Sequence, residues 1–88
     1  MTDEEIRATV NAALAKEFEL DESQLTPEAS ITEDLGLDSL DMVDMVIVLE
    51  KAFHFTLKDK NRLASIRTLG DIHAFIIAIQ HEEQSSGQ

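Results

Sequence analysis

Apolar residues recur at helical spacing in three separate stretches of this 88-residue chain, and between the first two the pattern vanishes for about twenty residues. Ile6, Val10, Ala13, Leu14 and Phe18 line one face of a first helix. Thr2 and Glu5 stand as a capping box at its start, and Asp3 and Glu4 complement the positive end of the helix dipole. A second helix runs from about Ser39 to Phe53, with Asp38 or Ser39 as its cap. Its apolar residues are too many for one stripe. Leu40, Val43 and Ile47 form a row at i, i+3 and i+7, while Met42, Met45, Val46, Leu49 and Phe53 occupy the neighbouring faces. One set must face the core and another must stay partly exposed, and an exposed apolar row is what a docking surface looks like. Thr68 caps a last helix, with Asp71 at the third helical position; Leu69, Ile72, Phe75, Ile76 and Ile79 form its buried face, and Ala74 and Ala78 allow close packing.

Between these helices the signals are weaker. From Glu19 to Asp38 the chain carries Pro27 and Gly36, with Leu20, Leu25, Ile31 and Leu35 as isolated apolar residues. Structureless loops of that length are uncommon in small domains, so these four are expected to pin the loop to the core, part of it as a short helical turn. Phe53 to Leu57 alternates like a strand but has nothing to pair with. It is read as an extended connector anchoring Phe55 or Leu57. A short, weak helix is expected between Asp59 and Ile66. The chain is therefore all-α: three main helices, a minor one and a long first loop, packed as one small bundle. Residues 1–80 form the domain, and 81–88, rich in Glu, Gln and Ser, are expected to be a disordered tail.

A formal charge of −11 disfavours nucleic acid and anionic membrane and favours partners with basic patches. No apolar run approaches the roughly 20 residues that span a bilayer, and the acidic N-terminus is the reverse of a targeting segment. There is no cysteine, hence no thiol nucleophile and no Cys-based metal site. These properties fit a cytoplasmic protein.

The chemistry concentrates in Asp34-Leu35-Gly36-Leu37-Asp38-Ser39-Leu40, which puts a hydroxyl at the start of the second helix with no histidine or lysine close by in sequence. A nucleophilic serine needs a base and an oxyanion hole. His54 follows the far end of the helix, His81 lies in the tail, and His73, beside Ile72, is read as a surface or boundary residue. The chain is therefore expected not to be an enzyme. Asp38, Asp41 and Asp44 recur every three residues, but without the glycine-turned loop and closing glutamate of an EF-hand they are read as a solvated acidic stripe and no metal is expected.

The string, in a chain of this length, acidity and helix order, resembles the D-x-G-x-D-S-L motif of the acyl carrier proteins, matched by Asp34, Gly36, Asp38, Ser39 and Leu40. The resemblance extends over roughly Glu4 to Ile79 and implies a four-helix bundle. It implies that Ser39, flanked by Asp38 and Leu40, receives 4'-phosphopantetheine from coenzyme A by a phosphopantetheinyl transferase. The arm's terminal thiol would carry acyl groups as thioesters in fatty-acid, lipid or polyketide assembly. It implies docking to acyl-transferring or synthase enzymes with basic patches through the acids Asp38, Asp41, Asp44 and Glu50 and the apolar Leu40, Val43 and Ile47, by a chain working as a monomer. An aminoacyl or peptidyl carrier is the neighbouring alternative; an unmodified helical adaptor docking through its acidic face is the alternative of another class. The sequence departs from the family's usual pattern in one place. Lys58, Lys60, Arg62 and Arg67 follow the second helix where members commonly carry acid, and Lys51 interrupts the acidic face. The basic segment either pairs internally with the acidic helix or changes which partners can dock, and the second reading makes this a specialised carrier.

Overall fold

The computed structural model describes residues 2–57 and 60–86; for residues 60–62 and 82–86 only the backbone is described. Three α-helices carry the fold: α1 (Asp3–Phe18), α2 (Ser39–Phe53) and α3 (Leu69–Ser86). Two 3₁₀ segments join them, Glu22–Gln24 in the long loop and Lys60–Ser65 before α3. The minor helix is thus a 3₁₀ element, and the short turn expected in the loop is the first of them. Among the described residues there is no strand, only an isolated bridge between Ser30 and Thr68.

Each helix starts where its local chemistry dictates. The Thr2 hydroxyl accepts from Glu5 N–H at 3.1 Å while the Glu5 carboxylate accepts from Thr2 N–H at 2.8 Å. That box satisfies two orphan donors of α1. The backbone N–H of Thr2, more than any other contact, holds the Glu5 carboxyl below its ordinary pKa. At α3 the Thr68 hydroxyl accepts from Asp71 N–H at 3.2 Å, and Asp71 returns a bond to Thr68 N–H at 3.1 Å. Beyond Gln80, α3 continues to Ser86, six residues into the stretch expected to be disordered. Glu and Gln sustain helix well, and neither proline nor glycine interrupts the backbone ladder before Gly87.

The core joins Ile6, Val10 and Leu14 of α1 to Met45, Val46, Leu49 and Phe53 of α2 and to Leu69, Ile72, Ile76 and Ile79 of α3. Leu25, Ile31 and Leu35 pin the long loop as expected, with Leu20 packed at the margin, and both Phe55 and Leu57 are buried. Two further loop residues, Ala29 and Leu37, are buried as well. Ala29 sits where the loop is laced to α3: Ile31 N–H donates to Arg67 O at 3.0 Å, Leu69 N–H to Ala29 O at 3.0 Å and Gly70 N–H to Pro27 O at 2.9 Å. Gly70 suits that approach, because a Cβ there would lie 3.0 Å from the Pro27 carbonyl oxygen, a tight contact that the loop backbone would have to relieve by a few tenths of an ångström.

His73 is a further expectation on α3 that the structure reverses. It is 5% exposed, and its Nε2–H donates to the Asn11 carboxamide oxygen on α1 at 2.7 Å. It stands four residues after Leu69 and three before Ile76, which places it on the apolar face. Desolvation, and secondarily the positive charge of Arg7, push its pKa below the ordinary imidazole value. The folded state therefore prefers neutral His73. This stabilisation is complete above the unfolded pKa of about 6.5 and is lost as pH falls toward the folded value. Thermal melts between pH 7.5 and 5.5 are expected to show falling stability in the native protein. His73→Gln, which keeps a donor for Asn11 and cannot charge, is expected to flatten that slope; equal slopes would refute this account. The window lies above the range where the lowered carboxyls of Glu5 and Asp71 titrate.

Candidate functional site

The candidate site forms where the long loop turns into α2. Gly36 adopts φ +70°, a left-handed conformation that costs other residues about 1 kcal/mol. Nothing lies within 4 Å of a Cβ built there, so the requirement for glycine is conformational alone. Leu37 then plunges into the core, its N–H bonded to Ile31 O at 3.0 Å, and the chain emerges at Asp38.

Asp38 is the cap of α2. Its carboxylate accepts from Asp41 N–H at 2.9 Å, Asp41 returns a bond to Asp38 N–H at 3.1 Å, and Asp38 O accepts the first helical bond from Met42 at 3.0 Å. Ser39 is accordingly the first helical residue and not the cap. It is exposed, and among the described residues its hydroxyl has no hydrogen-bond partner. Ser30, across the same groove, differs: its hydroxyl accepts from Glu33 N–H at 3.2 Å.

Beside Ser39 opens a groove of about 470 Å³. Ile31, Met42, Leu63 and Ile66 give it an apolar side, and Ser30, Thr32, Glu33, Asp38 and Arg67 a polar one. Of these, the sequence marks Ile31 as a loop anchor, Asp38 and Ser39 as cap and attachment point, Met42 as an apolar residue of α2 and Arg67 as one of the basic residues that follow it. Leu63, Ile66 and Arg67 arrive from a segment more than twenty residues away, and no local pattern marks them as neighbours of Ser39. The bulky Phe53, Phe55 and Ile76 lie in the core instead.

Along α2 the apolar residues sort cleanly. Met45, Val46, Leu49 and Phe53 are buried, whereas Leu40, Val43 and Ile47 are 75%, 54% and 43% exposed. Asp38 and Asp44 are exposed beside that row and Asp41 is half-buried. Glu50, the last acid expected in the row, is half-buried. Its carboxylate turns to the connector and accepts from Leu57 N–H at 2.7 Å, which ties the residues after α2 to the helix.

The histidines hold other posts. His54 closes the far end of α2 in a left-handed conformation, φ 55°, roughly 22 Å along the helix from Ser39. His73 is committed to Asn11, and His81 Nε2 lies 3.4 Å from Asp3 on α1. Among the described residues no group of three or more His, Asp or Glu is placed to hold a metal ion, and no helix is long and apolar enough to cross a membrane.

A small helical bundle that displays a free serine at a helix start, above a groove and beside an exposed apolar row, has the form of a carrier domain. Comparison with known proteins agrees. Residues 8–76 match the family described as a phosphopantetheine attachment site. An acyl carrier protein of Thermotoga maritima is 42% identical over 73 residues, covering 83% of this chain and 89% of that protein. One of Exiguobacterium sp. is 40% identical over 76 residues, 86% of this chain and 95% of its own. A meromycolate extension acyl carrier protein of Mycobacterium tuberculosis is 33% identical over 88 residues, all of this chain and 76% of that protein. The chain belongs to the acyl carrier protein family. Such proteins are carriers rather than enzymes, and their prosthetic group is a covalently attached 4'-phosphopantetheine. The residues present fit that group: an exposed hydroxyl for its phosphate and an adjoining groove of about 470 Å³.

Proposed function

We propose that Ser39 is the residue that takes the 4'-phosphopantetheine arm, and that this chain, itself no enzyme, hands acyl groups between enzymes of fatty-acid, lipid or polyketide assembly. One observation carries the assignment. Asp38 performs the capping that a serine at a helix start usually performs, so the Ser39 hydroxyl is exposed and unspent. When bound, the arm supplies a terminal thiol for thioester chemistry that a cysteine-free chain lacks. The protein's own contribution is tether and address: a tethered substrate is presented at high effective concentration to whichever enzyme docks.

The address is α2. Leu40, Val43 and Ile47 offer apolar contact, and Asp38, Asp41 and Asp44 offer charge to basic patches on the transferase and on acyl-transferring enzymes. Such pairing speeds encounter without tight binding, which suits a carrier with many clients. Glu50, whose carboxylate also accepts from Leu57 N–H, adds charge from farther along the helix. The acidity of the chain, −11, is in keeping with a cytoplasmic monomer whose partners are proteins rather than nucleic acid.

Incubation with coenzyme A and a promiscuous phosphopantetheinyl transferase is expected to add one pantetheine phosphate to the intact mass. No gain with several transferases would sink the proposal. The docking face is tested best at Asp44, which is exposed, because Asp41 also closes the capping box. Asp44→Lys is expected to slow loading several-fold at low salt, with the gap narrowing as ionic strength rises. An unchanged rate would reduce the stripe to a solubility feature.

A further inference from the structure

The groove beside Ser39 has room for the arm, but two of its acids oppose the phosphate that Ser39 is proposed to carry. Asp38 and Glu33 both line it, and a phosphodiester on the Ser39 oxygen would join these two carboxylates. The helix dipole offsets part of the repulsion, but the Asp41 N–H is already taken by the Asp38 carboxylate. Among the described residues the only cation lining the groove is Arg67.

Arg67 is set in place by its backbone. Its N–H donates to the Asp71 carboxylate at 3.0 Å and its carbonyl accepts from Ile31 N–H at 3.0 Å, so the residue is fixed on the groove's rim. Its side chain is exposed and, among the described residues, makes no ion pair. The competing acid is Asp71. That carboxylate is held ionised chiefly by the N–H groups of Arg67 and Thr68, with the Arg67 charge as the least of its causes. A guanidinium that makes no ion pair and acts only weakly on Asp71, lining the same groove as the hydroxyl proposed to take a phosphate, has the planar donor fork that phosphate oxygens match.

We propose that Arg67 is a positioning residue for the arm: its guanidinium pairs with the phosphodiester carried at Ser39, offsets Asp38 and Glu33, and so directs the arm toward the groove. The inference rests on attachment at Ser39. It gives a role to one member of the basic stretch; Lys58 and the side chains of Lys60 and Arg62 lie outside the described residues.

The test is spectroscopic and uses the full chain before and after loading. On loading, the Arg67 Nε–H resonance is expected to shift while that of Arg7, which lines a different cavity with His73, stays in place. The phosphorus resonance of the loaded arm is expected to move in Arg67→Gln, to return part of the way in Arg67→Lys, and to be unaffected by Arg7→Gln. An Arg67 Nε–H indifferent to loading, or a phosphorus resonance that moves with Arg62→Gln and not with Arg67→Gln, would overturn the inference while leaving the attachment intact. A native protein that acquires no phosphorus resonance would overturn the attachment and this inference with it.

Discussion

Ser39→Ala is expected to abolish uptake of phosphopantetheine completely while leaving a protein as stable as the parent. The two halves of that result have separate causes. With the arm attached as proposed, loading needs an oxygen nucleophile at this position, and alanine has none. Stability does not need it, because the Ser39 side chain is exposed and unbonded among the described residues and the helix is capped by Asp38. Alanine is also the best helix former, so the change in stability is expected to stay within about 0.5 kcal/mol. Asp38→Ala is the contrasting variant. It removes the cap and one side of the box with Asp41, and is expected to cost about 1 kcal/mol with the hydroxyl still present. Intact mass and thermal melts on both variants separate anchor from cap. A full pantetheine gain persisting in Ser39→Ala would place the arm on another hydroxyl. Ser30, in the same groove, would be examined next, although its oxygen already accepts from Glu33 N–H.

Much of this arrangement is legible in the sequence, and the reason is locality. Capping boxes at Thr2 and Thr68 act over three residues, and the division of α2 into a buried face and the exposed row Leu40, Val43 and Ile47 follows from helical periodicity alone. The choice between Asp38 and Ser39 as cap is not legible, since both types cap well and backbone geometry decides. His73 is legible only in part: its spacing from Leu69 and Ile76 puts it on the apolar face, its polarity argues for the surface, and the partner Asn11, 62 residues away, decides for burial. Leu37 is hidden for a different reason. In an aperiodic loop no spacing marks which leucine turns inward, and its burial follows from the turn at Gly36. Glu50 reads as one more surface acid until the chain folds back and offers it the Leu57 N–H.

Ile31→Ala is expected to be the most damaging single change near the site, although Ile31 lies in a loop. The side chain is 1% exposed. Its backbone ties three parts of the fold together, taking Arg67 O from the start of α3 and offering its own carbonyl to Leu37 N–H at the entrance to α2, both at 3.0 Å. Truncation of such a residue combines lost transfer energy with a cavity, about 2–5 kcal/mol, against about 0.5–1.5 kcal/mol for Ile31→Val. A domain of this size has only some 5–10 kcal/mol in hand, and each kcal/mol is worth about 4–8 °C in melting temperature. Ile31→Ala is therefore expected to melt at least about 10 °C below the parent and Ile31→Val within a few degrees of it; equal shifts for the two would mean that the loop collapses around the gap. The pair also bears on function. Ile31 forms part of the apolar side of the groove, so slower loading of Ile31→Ala at a temperature where it remains folded would show that Ser39 depends on a fixed loop for its presentation. Loading at the parent's rate would show that the start of α2 presents the hydroxyl unaided. Ser39 and Ile31 line one groove and are expected to answer in opposite ways: the exposed serine, as the proposed anchor, gives its hydroxyl at no cost to the fold, and the buried isoleucine carries the fold on which that exposure rests.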